Sequence, residues 1–189
     1  KIHKKKAGID TRDENWNKKV KENLPESSVK TSDELNKKLE EGTWGMLTAE
    51  NPNADIVTDK QNENANKRAE EWLKSKGYSF TKIFGKYGNS EQSYLVDGLT
   101  REDAIEFAKE FSQESVATNE GLVYQDGSMN PKVGQAVNTN EKDLYSTIKT
   151  SDGLVDFKVE YDFSQRTKPA TEGVSKLRGA FGRKAARAM

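Results

Sequence analysis

YSFTKIFGKYGNSEQSYLVD, residues 78–97, contains two apolar and aromatic segments separated by a turn. The first segment reaches Phe84, the second begins at Tyr94, and Gly88, Asn89 and Ser90 lie between them. Glycine and asparagine between two hydrophobic runs are typical of hairpin turns, because both residues adopt left-handed backbone conformations at little cost. The pattern therefore predicts a two-stranded antiparallel β-hairpin.

A helix and a strand flank this hairpin on each side. On the N-terminal side, residues 43–49 form an apolar strand segment, and residues 58–76 carry a one-sided apolar stripe that predicts the main helix. On the C-terminal side, Thr100 caps a second helix over residues 101–112, and short strand segments follow as far as Tyr124. The order strand, helix, strand, strand, helix, strand is that of the split βαβ domain. We therefore expect an α+β fold with a ferredoxin-like core.

The remaining segments surround this core. A short helix is expected over about residues 33–41, where Leu35 and Leu39 form an apolar pair. Apolar residues alternate with polar ones along residues 154–163, which predicts one strand of an added C-terminal hairpin with residues 144–149. The predicted parts are a basic N-terminal arm (1–31), the core (32–125), a loop and β-hairpin extension (126–165) and a basic C-terminal arm (166–189).

The charges of the chain are segregated, although its formal net charge is zero. Residues 1–30 carry a net charge of +4 and residues 166–189 carry +6, which leaves −10 for residues 31–165. Basic arms of this kind bind nucleic acid by releasing condensed counterions, or fold onto acidic protein surface of the same or a neighbouring subunit. The charge pattern is compatible with either kind of partner, and also with arms that are simple solvated tails.

The composition argues against several kinds of site. The chain has no cysteine, and its one histidine, His3, lies among lysines near the start. A serine-histidine-aspartate set is therefore ruled out, and nitrogen or sulfur metal ligands are not expected. Asp55, Asp59 and Glu63 lie near the start of the main helix, where acids normally interact with the helix dipole rather than with a cation. We expect no metal, no cofactor and, without a long apolar run, no membrane contact.

Several short motifs follow one another along residues 32–124. They are WGMLTAENP (44–52), Asn62 at the start of the main helix, GYSFTKIFGKYG (77–88), EQSYLV (91–96) and SQESV (112–116). In their order and spacing they resemble a family of small uncharacterised α+β proteins that is common in tailed bacteriophages and has relatives in bacteria. The sequence departs from that family at Ala65, where an arginine is usual. The resemblance implies a phage or bacterial origin, in the virion or the host cytoplasm, and no established activity.

Four polar residues at the resembling positions are the candidate catalytic residues if the protein is an enzyme: Glu91, Ser93, Gln113 and Ser115. On neighbouring strands they would line one pocket near Asn62, with Lys82 or Tyr78 opposite, where a carboxylate and hydroxyls orient a ligand or activate water. Alternatively, Glu91 and Gln113 pair with backbone groups at turns and strand ends. We favour the second interpretation.

The C-terminal arm is the predicted partner-binding segment. Its apolar residues fall on one side of a possible helix with basic residues around them: Val174, Leu177, Phe181, Arg183, Lys184 and Arg187. We therefore predict a non-enzymatic structural or interaction protein, a bacteriophage virion component whose arms bind neighbouring subunits. Two alternatives stay open, namely a small hydrolase-like enzyme with a polar site around Glu91 and a nucleic-acid accessory protein that uses the basic arms.

Overall fold

The computed structural model describes residues 12–168. The α-helices in this range are α1 (Glu14–Glu22), α2 (Ser32–Glu41), α3 (Asp59–Ser75) and α4 (Arg101–Glu110), and a single 3-10 turn spans Pro52–Ala54. The strands are β1 (Trp44–Leu47), β2 (Phe80–Tyr87), β3 (Asn89–Asp97), β4 (Ser115–Thr118), β5 (Gly121–Tyr124), β6 (Met129–Val137), β7 (Leu144–Thr150) and β8 (Gly153–Tyr161). None of the helices in the described range is both long enough and apolar enough to pass through a membrane.

The eight strands within residues 12–168 form a closed antiparallel barrel in the order β1-β3-β2-β7-β8-β6-β5-β4. The barrel closes where β1 pairs with β4, with Gly45 opposite Thr118 and Met46 opposite Ala117. The predicted α+β, ferredoxin-like fold with an added hairpin is therefore wrong.

The error concerns the strands that the sequence interpretation treated as peripheral. β4, β1, β3 and β2 lie side by side, but their sheet continues from β2 into β7 and from β4 into β5. The predicted added hairpin, β7 and β8, joins β6 to form the wall between β2 and β5. An open sheet would leave the outer edges of β2 and β4 unpaired, whereas closure provides both with a neighbouring strand.

Alternation along the strands separates an inner core from an outer one. Met46, Ile83 and Phe157 belong to the apolar cluster that fills the barrel. Leu47 and Val96, which neighbour inward-facing residues in the chain, belong to a second cluster in which α3 and α4 pack on the outer surface. Because successive strand residues point to opposite faces, residues two positions apart share a face.

The two ends of the barrel are covered by different segments. At one end, α2 inserts Leu35 and Leu39, both fully buried, beside Trp44 of the inner core. The indole Nε1 of Trp44 also donates a hydrogen bond to the carbonyl of Leu39 at 3.2 Å. At the opposite end β1 finishes, and residues 48–58 lead from it into α3. The candidate site residues lie at this second end.

A capping box fixes the start of α3 and so the position of the polar residues on it. The Thr58 hydroxyl accepts from the backbone N–H of Gln61 at 3.1 Å, and the Gln61 side chain accepts from the backbone N–H of Thr58 at 3.0 Å. Two N–H groups at the helix start are thereby satisfied.

Thr58→Ala is expected to lower the free energy of unfolding by about 1 kcal/mol, because it removes the side-chain oxygen of the cap. Urea unfolding followed by circular dichroism measures the change. Thr58→Ser keeps the oxygen and is the control, expected to stay close to the wild type. An equal loss of stability in both variants would show that the cap does not hold α3.

Candidate functional site

Three of the predicted catalytic residues lie on the inward face of the barrel wall. Glu91 and Ser93 lie on β3 four and two positions before Leu95, which belongs to the inner core. Ser115 lies on β4 two positions before Ala117, which packs against the same core. Strand alternation therefore directs all three half-buried side chains towards the interior, at the end where β1 finishes.

Gln113, the fourth predicted residue, is bound to the backbone. Its Nε2 donates to the carbonyl of Glu50 at 3.0 Å and to that of Phe111 at 3.2 Å. The carbonyl of Gln113 in turn accepts from Nε2 of Gln125 at 2.8 Å. These bonds hold the connection between α4 and β4 against the segment that follows β1.

Lys82 and Tyr78, the residues considered for an opposite wall, make contacts on the outside of the barrel. Nζ of Lys82 lies 3.7 Å from Oε2 of Glu70 on α3. The Tyr78 hydroxyl donates a hydrogen bond to the carboxylate of Asp103 on α4. Burial raises the pKa of Tyr78, and the bond to Asp103 adds to the increase. The structure does not bring either residue to Glu91, Ser93 and Ser115, which we call the inward-facing group.

Beside the inward-facing group lies a buried polar cluster, which we call the Glu50 cluster. It consists of Arg12, Glu50, Asn51, Asn62 and Asn66. The last four residues are buried, and Glu50 is only 3% exposed. Because a buried charge is costly unless it is paired and hydrogen-bonded, the partners of Glu50 decide what the cluster can do.

Both carboxylate oxygens of Glu50 accept hydrogen bonds. Nη1 of Arg12 donates to Oε1 at 2.6 Å, and the backbone N–H of Gln92 donates to the same atom at 3.2 Å. Nδ2 of Asn66 donates to Oε2 at 2.7 Å. Glu50 is therefore an anchored anion, since its oxygens are occupied by donors from the N-terminal segment, β3 and α3.

The guanidinium of Arg12 is held by several chain segments at once. Nη1 donates to the carbonyl of Ser90 at 2.8 Å as well as to Glu50, and Nη2 donates to Oδ1 of Asp59 at 3.1 Å. The group also lies over the ring of Trp16, 4.1 Å from its centroid. Burial lowers the pKa of Arg12, but the hydrogen bonds and charges of Glu50 and Asp59 outweigh it, and the pKa is raised.

Asn51 connects the Glu50 cluster to the inward-facing group. Its backbone N–H donates to Oδ1 of Asn62 at 2.9 Å, and its Nδ2 donates to Oε2 of Glu91 at 2.7 Å. Its Oδ1 accepts from Nδ2 of Asn62 at 3.2 Å and from the N–H of Val57 at 3.2 Å. Asn51 has a φ of 49°, a left-handed conformation that asparagine tolerates better than most residues. Asn62 is one of the residues that carry the family resemblance, and it fixes the turn after β1.

Tyr94 extends this polar region along β3. Its hydroxyl donates to Oε2 of Glu70 at 2.7 Å and accepts from Nε2 of Gln92 at 3.1 Å. Burial raises the pKa of the Tyr94 hydroxyl, and the neighbouring Glu70 carboxylate raises it further. The tyrosine therefore stays protonated and acts as a hydrogen-bond donor.

The acidic residues near the start of α3 have protein partners. Asp59 accepts from Arg12, and Oε1 of Glu63 lies 3.6 Å from Nζ of Lys67. Asp55 is not without a partner either. In the part of the chain that the structure describes, no group of three or more histidine, cysteine, aspartate or glutamate side chains is placed to hold a metal ion.

Some of the predicted residues lie outside the described residues. They are His3 and the partner-binding residues of the C-terminal arm, Val174, Leu177, Phe181, Arg183, Lys184 and Arg187. Their role stays a prediction.

The sequence interpretation missed the Glu50 cluster as a unit. One signal was present: Asn62 and Asn66 are four residues apart and so share one face of α3. The adjacent pair Glu50 and Asn51 directly follows the apolar strand segment, as an end-of-strand turn does. No local pattern points to Arg12, which lies 38 residues before Glu50 in the chain.

The fold and the site together define a small closed β-barrel protein with a buried polar cluster at one end. A family model described as "Protein of unknown function (DUF3293)" matches residues 47–116. The chain is thus similar to an uncharacterised family over the segment from β1 to β4, and the match carries no link to bacteriophages. No curated protein and no solved structure matches the chain.

Proposed function

We propose that this chain is a non-enzymatic structural or interaction protein whose basic arms bind acidic surfaces of neighbouring subunits. The observation that carries the proposal is the burial of Arg12, from the predicted N-terminal arm, against Glu50 and Asp59 of the core. The Arg12 side chain is only 8% exposed. A basic residue of the predicted arm therefore occupies a defined position beside two carboxylates of the folded protein.

The hydrogen bonds made by the polar residues around Arg12 support a structural role. Gln113 binds two backbone carbonyls, and Asn51 with Asn62 closes the turn that follows β1. Glu50 has both carboxylate oxygens occupied. Side chains that satisfy buried backbone groups and charges are normally part of the framework of a protein.

The proposed setting is a bacteriophage particle, in the virion or the host cytoplasm. This part of the proposal rests on the sequence resemblance alone. The proposed partners are other protein subunits of the assembly, further copies of this chain among them, with the C-terminal arm as the main contact segment.

A small hydrolase is the second candidate function, because Glu91, Ser93 and Ser115 share the inward face of the barrel. A carboxylate and two hydroxyls on one face could orient water for attack on a bound substrate. Asn51 already donates a hydrogen bond to Glu91 at 2.7 Å. This bond fixes the position of the carboxylate that would serve as the general base.

Sedimentation velocity of the full chain at low and high ionic strength tests the proposed function. We expect self-association at low ionic strength, weakened by salt because exposed charges are screened. A variant that ends at Lys168 should lose the association. The control is the replacement by alanine of Lys60 and Lys142, two exposed lysines outside the arms, which should leave the association unchanged.

Three results would contradict the proposal. The first is a chain that stays monomeric at both ionic strengths, and the second is association that survives the truncation. The third is salt-sensitive binding of double-stranded DNA that disappears on truncation, without self-association. This last result would favour the nucleic-acid accessory protein instead.

A further inference from the structure

The groups that accept hydrogen bonds from Arg12 do not belong to its own N-terminal segment. Its acceptors are Glu50 after β1, Asp59 in the first turn of α3 and the carbonyl of Ser90 on β3. All three lie within the matched segment, residues 47–116, whereas Arg12 and Trp16 lie before it. One chain segment therefore supplies the cation, and β3, α3 and the turn after β1 supply the acceptors.

The acceptors are held in place by bonds that do not involve Arg12. Asn66 and the backbone N–H of Gln92 fix the Glu50 carboxylate at 2.7 Å and 3.2 Å, and Gln113 fixes the Glu50 carbonyl at 3.0 Å. Asn66 is itself buried, which restricts the movement of its amide beside Glu50. The geometry around Glu50 should therefore persist when the Arg12 side chain is removed.

The arrangement selects a guanidinium over an ammonium group. Two different nitrogens of one planar group reach Glu50 and Asp59, and a carbonyl oxygen shares the first nitrogen. The flat face lies over the indole of Trp16 at 4.1 Å. A guanidinium presents donors in a rigid fork and stacks on aromatic rings, whereas a lysine ammonium is a compact charge that does neither as well.

We propose that Glu50, Asp59 and the Ser90 carbonyl form a guanidinium-binding site for an arginine side chain, and that Arg12 is its occupant in cis. The carboxylates of Glu50 and Asp59 face the bound group, and Glu50 is left buried and uncompensated when the site empties. An empty site therefore attracts another guanidinium.

Chemical rescue of the full-length Arg12→Ala variant tests this site. We expect methylguanidinium chloride to raise the Tm of the variant in a saturable way, because a ligand that binds only the folded state stabilises it. The wild type, whose site is filled, should show no saturable rise. Methylammonium chloride at the same concentration is the control and should not rescue the variant.

The indole N–H signal of Trp16 in an NMR spectrum provides a second measurement. It should shift on addition of methylguanidinium to Arg12→Ala and stay unchanged in the double variant Arg12→Ala, Glu50→Gln. If Arg12→Ala does not fold, Arg12→Lys replaces it, because a lysine keeps a positive charge beside Glu50 but lacks the planar fork. Methylguanidinium should then displace the lysine, raise the Tm and shift the same signal.

The proposal is overturned if methylammonium and methylguanidinium act alike, since the site would then bind charge without selecting the guanidinium. It is also overturned if neither variant responds to methylguanidinium, or if the response persists in the double variant.

Discussion

Arg12→Ala is expected to lower the free energy of unfolding by about 3–5 kcal/mol, because it leaves the buried Glu50 carboxylate without its cation. The side chains of Arg12 and Glu50 are 8% and 3% exposed, so water cannot replace the lost partner without local rearrangement. The Ser90 carbonyl and Asp59 lose a donor in the same step. Urea unfolding followed by tryptophan fluorescence, at low and high salt, measures the change.

Arg101→Ala is the matched control for this prediction. Nε of Arg101 lies 3.6 Å from Oε1 of Glu120, with side chains 31% and 53% exposed. An exposed pair of this kind contributes about 0–1 kcal/mol. If the two arginine variants lose similar stability, Glu50 is more accessible to solvent than its contacts indicate, and the account of the Glu50 cluster fails.

Much of the helical structure could be predicted, because the signals that start a helix are local. Thr58 and Thr100 precede their helices directly and bind N–H groups three residues ahead. A short window of sequence contains both partners of such a bond. The main helix predicted from residue 58 is accordingly α3, and the helix predicted after Thr100 is α4.

Closure of the barrel could not be predicted in the same way, because it depends on pairs that are far apart in the chain. Gly45 lies opposite Thr118, and Phe84 lies opposite Thr147. The sequence of one strand does not indicate which other strand it pairs with. Alternation at Phe157 shows which residues face an interior, but it does not show whether that interior is an open sheet or a barrel. The wrong fold class follows from this limit.

The candidate site divides along the same line. Glu91 and Ser93 could be placed on one face, because strand alternation is a local rule. Their strand was expected beside that of Ser115, but β1 lies between β3 and β4. The Glu50 cluster depends on a bond between Arg12 and Glu50 that spans 38 residues and begins in a segment predicted to be an arm. A charge-rich arm has no pattern that marks one arginine as buried.

Phe157→Ala is expected to lower the free energy of unfolding by about 3–5 kcal/mol, because it leaves a cavity in the inner core. Phe157 is fully buried and belongs to the same cluster as Met46, Ile83 and Ile148, which come from three other strands. Had β7 and β8 formed an accessory hairpin, the loss would stay near the small values of surface sites. Equilibrium urea unfolding, with tryptophan fluorescence and circular dichroism as coincident probes, measures it.

Leu154→Ala on the same strand is the control, because Leu154 is 45% exposed. A substitution at such a surface position usually changes stability by less than about 0.5 kcal/mol. A large gap between the two variants is the result expected of a barrel wall, since one face of β8 then forms the core and the other contacts solvent. If Phe157→Ala lost no more stability than Leu154→Ala, β8 would not enclose the core. The apolar cluster that includes Phe157, Met46, Ile83 and Ile148 would then not form in solution.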